Sequence, residues 1–150
     1  MEIENRKAKY NYFIEEELEC GIELQGNEVK SLRLGNANIK DSYGIIKNGE
    51  VYILNMHIKK YEQASSINSM NETRSRKLLL HKKEIKKLSN KINLEGYTLI
   101  PLKVYLKENK FKVLLGLCKG KKNYDKRNTI KERDIKRNIE KEVKKYLWIN

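Results

Sequence analysis

The chain holds little of what catalysis or secretion usually requires. It has two cysteines, Cys20 and Cys118, far apart and in no CxxC pair. That argues against a redox motif or a zinc site and fits reduced, partly buried thiols in a cytosolic protein. There are two histidines, His57 in a strand-like run and His81 in a basic segment, and on composition each is a surface or packing residue rather than a catalytic base. GxSxG and P-loop patterns are missing, and no Asp, Glu or His group has metal-ligand spacing. Residues 116–121 (GLCKGK) superficially resemble a phosphate loop but lack its GxxxxGK[ST] spacing and its following helix. No apolar run approaches the length of a membrane span, and the start, MEIENRKAKYNYF, has no apolar core of a signal peptide. A catalytic function is therefore disfavoured, no cofactor or metal is expected, and the expected compartment is the cytoplasm. Only one proline, Pro101, interrupts the chain; it cannot donate to a ladder, so it belongs on a strand edge or at a bulge.

Acidic residues are also too few to balance the basic ones. The net charge is +13 over 150 residues, and the isoelectric point is about 9.6, which favours a polyanionic partner. The excess is concentrated at the end: residues 119–150 hold 12 Lys or Arg against 5 Asp or Glu. With 39% apolar residues, below the usual 45–50% or so, the core is modest and belongs to the body, residues 1–118. Residues 119–150 form a basic tail. The alternative is a solvated basic surface with no specific partner.

The body has the pattern of β-structure with inserted helices. Tyr12-Phe13-Ile14 and residues 20–24 are strand-like. Gly26 ends the second run, Asn27 is placed to cap a short helix over 28–34 with Val29, Leu32 and Arg33 inward, and Gly35 stops it. Residues 42–46 and 51–54 flank Lys47-Asn48-Gly49-Glu50, a hairpin signal, because Asn and Gly tolerate positive φ. Residues 62–73 are polar and form a surface loop. Leu78, Leu79, Ile85, Leu88 and Ile92 recur at helical spacing and predict a helix from Arg74 to about Leu94, ended by Gly96. Two strands follow, 97–106 and 110–117, with Glu108-Asn109 at the turn. Short hairpin-linked strands with helices between them predict a small antiparallel β-barrel with an OB-fold-like core.

The tail has two parts. Lys119, Lys121, Lys122, Tyr124, Asp125, Lys126 and Arg127 make a basic cluster with one aromatic. Beyond it Ile130, Ile135, Ile139, Val143 and Leu147 form a thin apolar stripe, supported by Glu132–Lys136 and Glu140–Lys144 at i,i+4. Such pairs contribute a few tenths of a kcal/mol each, so an isolated helix here is marginal. The expectation is a tail that is disordered or frayed alone and helical when a partner neutralises it; the alternative is a helix docked on its own barrel. Trp148 has no assigned role.

A collinear set of strings runs through the chain. It includes Asn5-Arg6-Lys7-Ala8, Tyr12-Phe13-Ile14-Glu15-Glu16, Gly26-Asn27-Glu28-Val29-Lys30-Ser31-Leu32-Arg33 and Asp41-Ser42-Tyr43. It continues with Asn55-Met56-His57-Ile58, Thr73-Arg74-Ser75-Arg76-Lys77-Leu78-Leu79-Leu80, Pro101-Leu102-Lys103, Lys119-Gly120-Lys121-Lys122, Tyr124-Asp125-Lys126-Arg127 and Ile130-Lys131-Glu132-Arg133. The set resembles the SmpB family, the SsrA-binding proteins of bacterial trans-translation. The resemblance implies a barrel that grips the tRNA-like domain of transfer-messenger RNA (tmRNA) and a tail that enters a stalled ribosome. There the nascent chain is tagged for proteolysis and the ribosome is released. It implies that Glu19, Leu79 and Lys112 contact the RNA, joined by Lys30, Arg33, Arg74, Arg76 and Lys77. It places residues 119–127 at the small-subunit decoding centre and Ile130, Lys131, Arg133, Lys136 and Arg137 in the empty mRNA path. The protein is expected to be a monomer. From the residues alone, Glu19 is equally a solvated strand carboxylate and Leu79 a core residue. A general RNA-binding module and a structural ribosomal protein remain alternatives on composition.

Overall fold

The computed structural model describes residues 2–61, 71–122 and 127. Strand β1 (Glu2–Glu4) is followed by a one-turn helix α1 (Ala8–Asn11) and a long strand β2 (Tyr12–Ile22). Helix α2 (Gly26–Arg33) leads through β3 (Ala37–Asn38) to the hairpin β4 (Tyr43–Lys47) and β5 (Glu50–Leu54), then β6 (His57–Ile58). Strand β7 (Arg76–Leu79), helix α3 (Lys82–Glu95) and the hairpin β8 (Thr98–Lys107) and β9 (Lys110–Gly120) complete the body.

Six strands close into a ring in the order β8-β4-β5-β7-β2-β9, with β9 returning to β8 and β1 added alongside β8. Every pairing is antiparallel, and β3 and β6 form a separate two-stranded ladder. The expected small antiparallel barrel is what forms, and closure leaves few free sheet edges. Its interior holds Cys20, Val51, Ile53, Leu78, Leu99, Val104, Val113, Leu115 and Leu117, with Leu32 from α2 and Ile85 and Leu88 from α3 in the same cluster.

Two bulges explain why β2, β8 and β9 are longer and more apolar than one buried face requires. Register shifts fall between Ile14 and Glu16 in β2 and between Pro101 and Lys103 in β8. An extra residue reverses which face each following side chain takes. Leu18 and Cys20 therefore point into the barrel, whereas Ile14 joins Ala8, Ile100, Leu102, Leu114 and Cys118 in a second apolar cluster outside it. Pro101 sits at one of these bulges, as its missing N–H demands. The sequence suggests two short strands on either side of the Glu-rich run; the structure makes that run one strand, with Glu15, Glu17 and Glu19 exposed and Glu16 half-buried.

The turn signals acted as expected. Asn48 and Gly49 take φ of 53° and 74° between β4 and β5, and Glu108 and Asn109 take 51° and 63° between β8 and β9. Gly96 ends α3 in the left-handed conformation.

Three local expectations are corrected. The helix predicted from Arg74 begins only at Lys82; Leu78 and Leu79 are on β7, where Leu78 pairs with Val51 and Ile22 and the alternation of burial is that of a strand. Pairing to neighbours on both sides outweighs the helical spacing. Helix α2 is capped by Gln25 rather than Asn27, through a reciprocal box in which Glu28 accepts the Gln25 N–H. Arg33 is exposed, not inward. The polar stretch 62–70 and the tail beyond Lys122, apart from Arg127, lie outside the described residues. β9 runs two residues past position 118, so the start of the expected tail is still strand. Both cysteines are free and buried, with burial first among the causes pushing Cys20 up to about 12 and Cys118 up to about 11. Among the described residues no helix is long and apolar enough to cross a membrane, and no cluster of three His, Cys, Asp or Glu is arranged to hold a metal.

Candidate nucleic-acid interface

Three strand registers bring the expected RNA-contacting residues together. Leu79 on β7 pairs with Gly21 on β2, Gly21 pairs with Lys112 on β9, and Lys112 pairs with Tyr105 on β8. The four positions form one row across the barrel wall. A side chain at Gly21 would meet the Leu79 Cβ at 3.2 Å, so the bare backbone there lets Leu79 lie across it. Leu79 is 47% exposed, far more than a core leucine. It is the solvent face of β7, which answers the choice between core and surface that its sequence left open.

Glu19 lies two residues along β2 from Gly21, on the same outer face. Its carboxylate accepts the Tyr105 hydroxyl at 2.5 Å and Lys107 Nζ at 3.3 Å. The Tyr105 hydrogen bond is the largest cause holding the Glu19 carboxyl below its usual range, with Lys107 and Lys112 adding their fields and desolvation opposing them. Burial, and then the bond to Glu19, pushes Tyr105 up to about 12. Glu19 is thus a carboxylate inside a cationic and aromatic setting, with hydrogen-bond acceptor capacity of the kind that base amino groups or a 2′-hydroxyl can use. Tyr105 and Lys107 were not singled out from sequence. The signal was present: they stand at i and i+2 on a strand whose alternate residues face inward.

The remaining candidates divide by burial. Lys30 and Arg33 are exposed on α2, with Lys30 Nζ 5.5 Å from the Tyr61 ring centroid. Lys77, half-buried on β7, pairs with Glu50 at 3.5 Å. Arg76 differs from the expected surface contact: it is 0% exposed, with its guanidinium turned to protein partners. Its Nε donates to Glu28, Nη1 to the Met56 carbonyl at 2.6 Å and Nη2 to the Glu72 carbonyl at 3.1 Å. Glu28 is equally buried and also accepts Arg74 Nε at 3.1 Å and Arg74 Nη2. Desolvation would raise the Glu28 carboxyl, but Arg74, the Gln25 N–H and Arg76 together hold it below its usual value. The cluster ties α2 to β7 and to the chain after β6. Its sequence signal is Glu28 itself, three residues after Gln25 at capping-box spacing.

The root of the tail is anchored. Lys119 pairs with Phe13 in the ladder, and its Nζ stands 4.5 Å from the centroid of Tyr97. Lys121 donates its backbone N–H to the Asn11 carbonyl at 2.8 Å and holds its ammonium 4.9 Å from the Phe13 ring. Phe13 is 51% exposed, an aromatic on the outer wall beside the tail's departure. Lys122 and Arg127 are exposed. Tyr124, Asp125, Lys126, Ile130, Lys131, Arg133, Lys136 and Arg137 lie outside the described residues.

This arrangement has known relatives. Residues 2–145 match the model of the SmpB protein family. An SsrA-binding protein of Caldicellulosiruptor bescii is 54% identical over 143 residues, covering 95% of this chain and 90% of the relative. One from Staphylococcus aureus strain Newman is 53% identical over 141 residues, covering 94% and 91%. Among solved structures, a chain from "tmRNA-SmpB: a journey to the center of the bacterial ribosome" superposes with a TM-score of 0.67 at 46% identity, covering 81% of this chain and 85% of that one. The barrel, its outer row and these likenesses over nearly the whole length place the chain in the SmpB protein family.

Proposed function

We propose that this protein binds the tRNA-like domain of tmRNA, the SsrA RNA, and delivers it to stalled ribosomes for trans-translation. It is an RNA-binding adaptor of the cytoplasm, not an enzyme. The barrel wall carries the RNA: Leu79, the Gly21 backbone, Lys112 and Glu19 offer apolar, cationic and hydrogen-bonding groups on one rigid face, and Lys30 and Arg33 add charge from α2. Recognition of this kind reads backbone shape and unpaired bases rather than a duplex sequence. Residues 119–127 then serve the decoding centre, and the segment from Ile130 to Arg137 lies in the empty mRNA path, leading to tagging of the nascent chain and ribosome release.

The single observation that supports this reading best is the row itself. Residues 79, 21, 112 and 105, scattered in sequence, come into register on four adjacent strands of the wall. The test is binding of the pure protein to the tRNA-like domain of tmRNA against bulk tRNA at moderate salt. A clear preference for the tmRNA domain is expected, and equal affinity for the two overturns the assignment.

A further inference from the structure

The buried cluster beneath α2 is charge-unbalanced. The ion pairs of Arg74 and Arg76 both run to one carboxylate, that of Glu28. Arg76 is sealed in, with all three of its nitrogens bonded to protein oxygens. The surplus positive charge therefore emerges through Arg74, whose side chain is 27% exposed. Its guanidinium is used on one edge only. Nε and Nη2 hold the Glu28 carboxylate side-on, and Nη1 makes only a long bond, 3.4 Å, to the Ser75 carbonyl. A guanidinium has five N–H groups in a rigid fork, and these bonds use one on each nitrogen, so one N–H on Nη1 and one on Nη2 are left over on a side chain that solvent reaches.

We propose that the end-on edge of Arg74, between Nη1 and Nη2, is a preorganised site for a phosphodiester of the bound RNA, with Glu28 and Arg76 as the positioning residues that hold it. The inference rests on the RNA-binding reading above and names the group and the geometry of one contact. An arginine already clamped on its side edge loses little rotamer freedom on binding, and a phosphate takes the fork in a bidentate way. The phosphate would also offset the charge that one carboxylate leaves uncompensated.

The experiment compares the wild type with R74A and R74K, using the tRNA-like domain of tmRNA and bulk tRNA across a salt series. Circular dichroism and thermal unfolding first establish which variants are folded. R74A should weaken binding about tenfold, from the strength of a charge-assisted bond, and lower the slope of log K against log salt by about 1. R74K should keep the slope yet lose most of the affinity, because a lysine is a point charge and not a fork. Both RNAs should weaken in proportion, since a phosphate carries no base identity. Wild-type affinity and slope in R74A, full recovery in R74K, or a loss confined to one RNA each overturns the proposal. If R74A does not fold, the Arg74 Nε–H signal of the wild type, followed by NMR as the tmRNA domain is added, decides: a shift supports the contact and an unmoved signal refutes it. A wild type that fails to prefer the tmRNA domain sinks the functional reading instead, and leaves the Arg74 variants to be judged on bulk tRNA.

Discussion

Replacing Glu28 with alanine should cost this protein a large part of its stability without touching any exposed surface. The side chain is 0% exposed and accepts from the Gln25 N–H, from two nitrogens of Arg74 and from one of Arg76. Alanine removes the one carboxylate that pairs with Arg76 among the described residues, leaving a fully buried guanidinium held by two carbonyls. Breaking a buried pair from one side costs about 3–5 kcal/mol, against a total of roughly 5–15 kcal/mol for a small domain. Loss of the capping box adds about 1 kcal/mol. Urea unfolding followed by circular dichroism measures it: the midpoint should fall sharply while the slope m stays fixed. The pH dependence carries an independent signature. The Glu28 carboxyl is held below its usual value, so the stability it contributes is complete above the ordinary glutamate pKa of about 4.3 and disappears as pH falls through the lower folded value. The alanine variant should have lost that acid-sensitive share. A cost under about 1 kcal/mol, or an unchanged acid arm, would refute the reasoning.

Three further outcomes follow from the geometry. Gly44 pairs with Leu99 where β4 meets β8, and a Cβ there would stand 2.8 Å from the Leu99 Cβ; Gly44→Ala should destabilise by about 1–3 kcal/mol in the same urea assay. Glu19→Gln removes the charged acceptor of the Tyr105 hydroxyl, so the Tyr105 pKa should drop part of the way back from about 12, burial being the larger cause; NMR titration of the ring signals reads it, and an unmoved value would show that the bond contributes nothing. A chain ending at Lys122 keeps all of β9 and the Lys121–Asn11 bond, so it should bind the tRNA-like domain as the full chain does yet fail to support tagging on stalled ribosomes.

What the sequence made legible was its punctuation. Asn48-Gly49, Glu108-Asn109 and Gly96 mark turns and a helix end that the structure reproduces, because positive φ is a local requirement met by a few residue types. The barrel was legible from the hairpins. Burial that depends on distant partners was not. Leu78 and Leu79 have helical spacing with Ile85 and Leu88, and only pairing with β5 and β2 makes them strand. Arg76 stands among basic residues in RSRK and looks solvated; Glu28, 48 positions away, removes it from the surface. The two bulges are a third case, since nothing local announces that an extra residue will turn Ile14 to one apolar cluster and Leu18 to another. For the interface, the resemblance supplied Glu19, Leu79 and Lys112, and the registers supplied Tyr105 as their neighbour.

Strand β9 carries Lys112 near one end and the tail's departure point at the other. Lys112 and Gly120 are eight residues apart on one hydrogen-bonded strand, at most about 27 Å at the rise of an extended chain. The strand is thus a built-in ruler. On the proposed reading, an RNA bound at the row and a tail leaving beyond Gly120 are held at a fixed separation, because β2 and β8 grip the strand on both sides. Any two-residue insertion in β9 would keep every side chain on its proper face and yet move the tail by about 7 Å relative to the RNA. Spacing would then be altered independently of affinity, and the offset would be felt wherever the tail has to meet a fixed target while the barrel stays on its RNA.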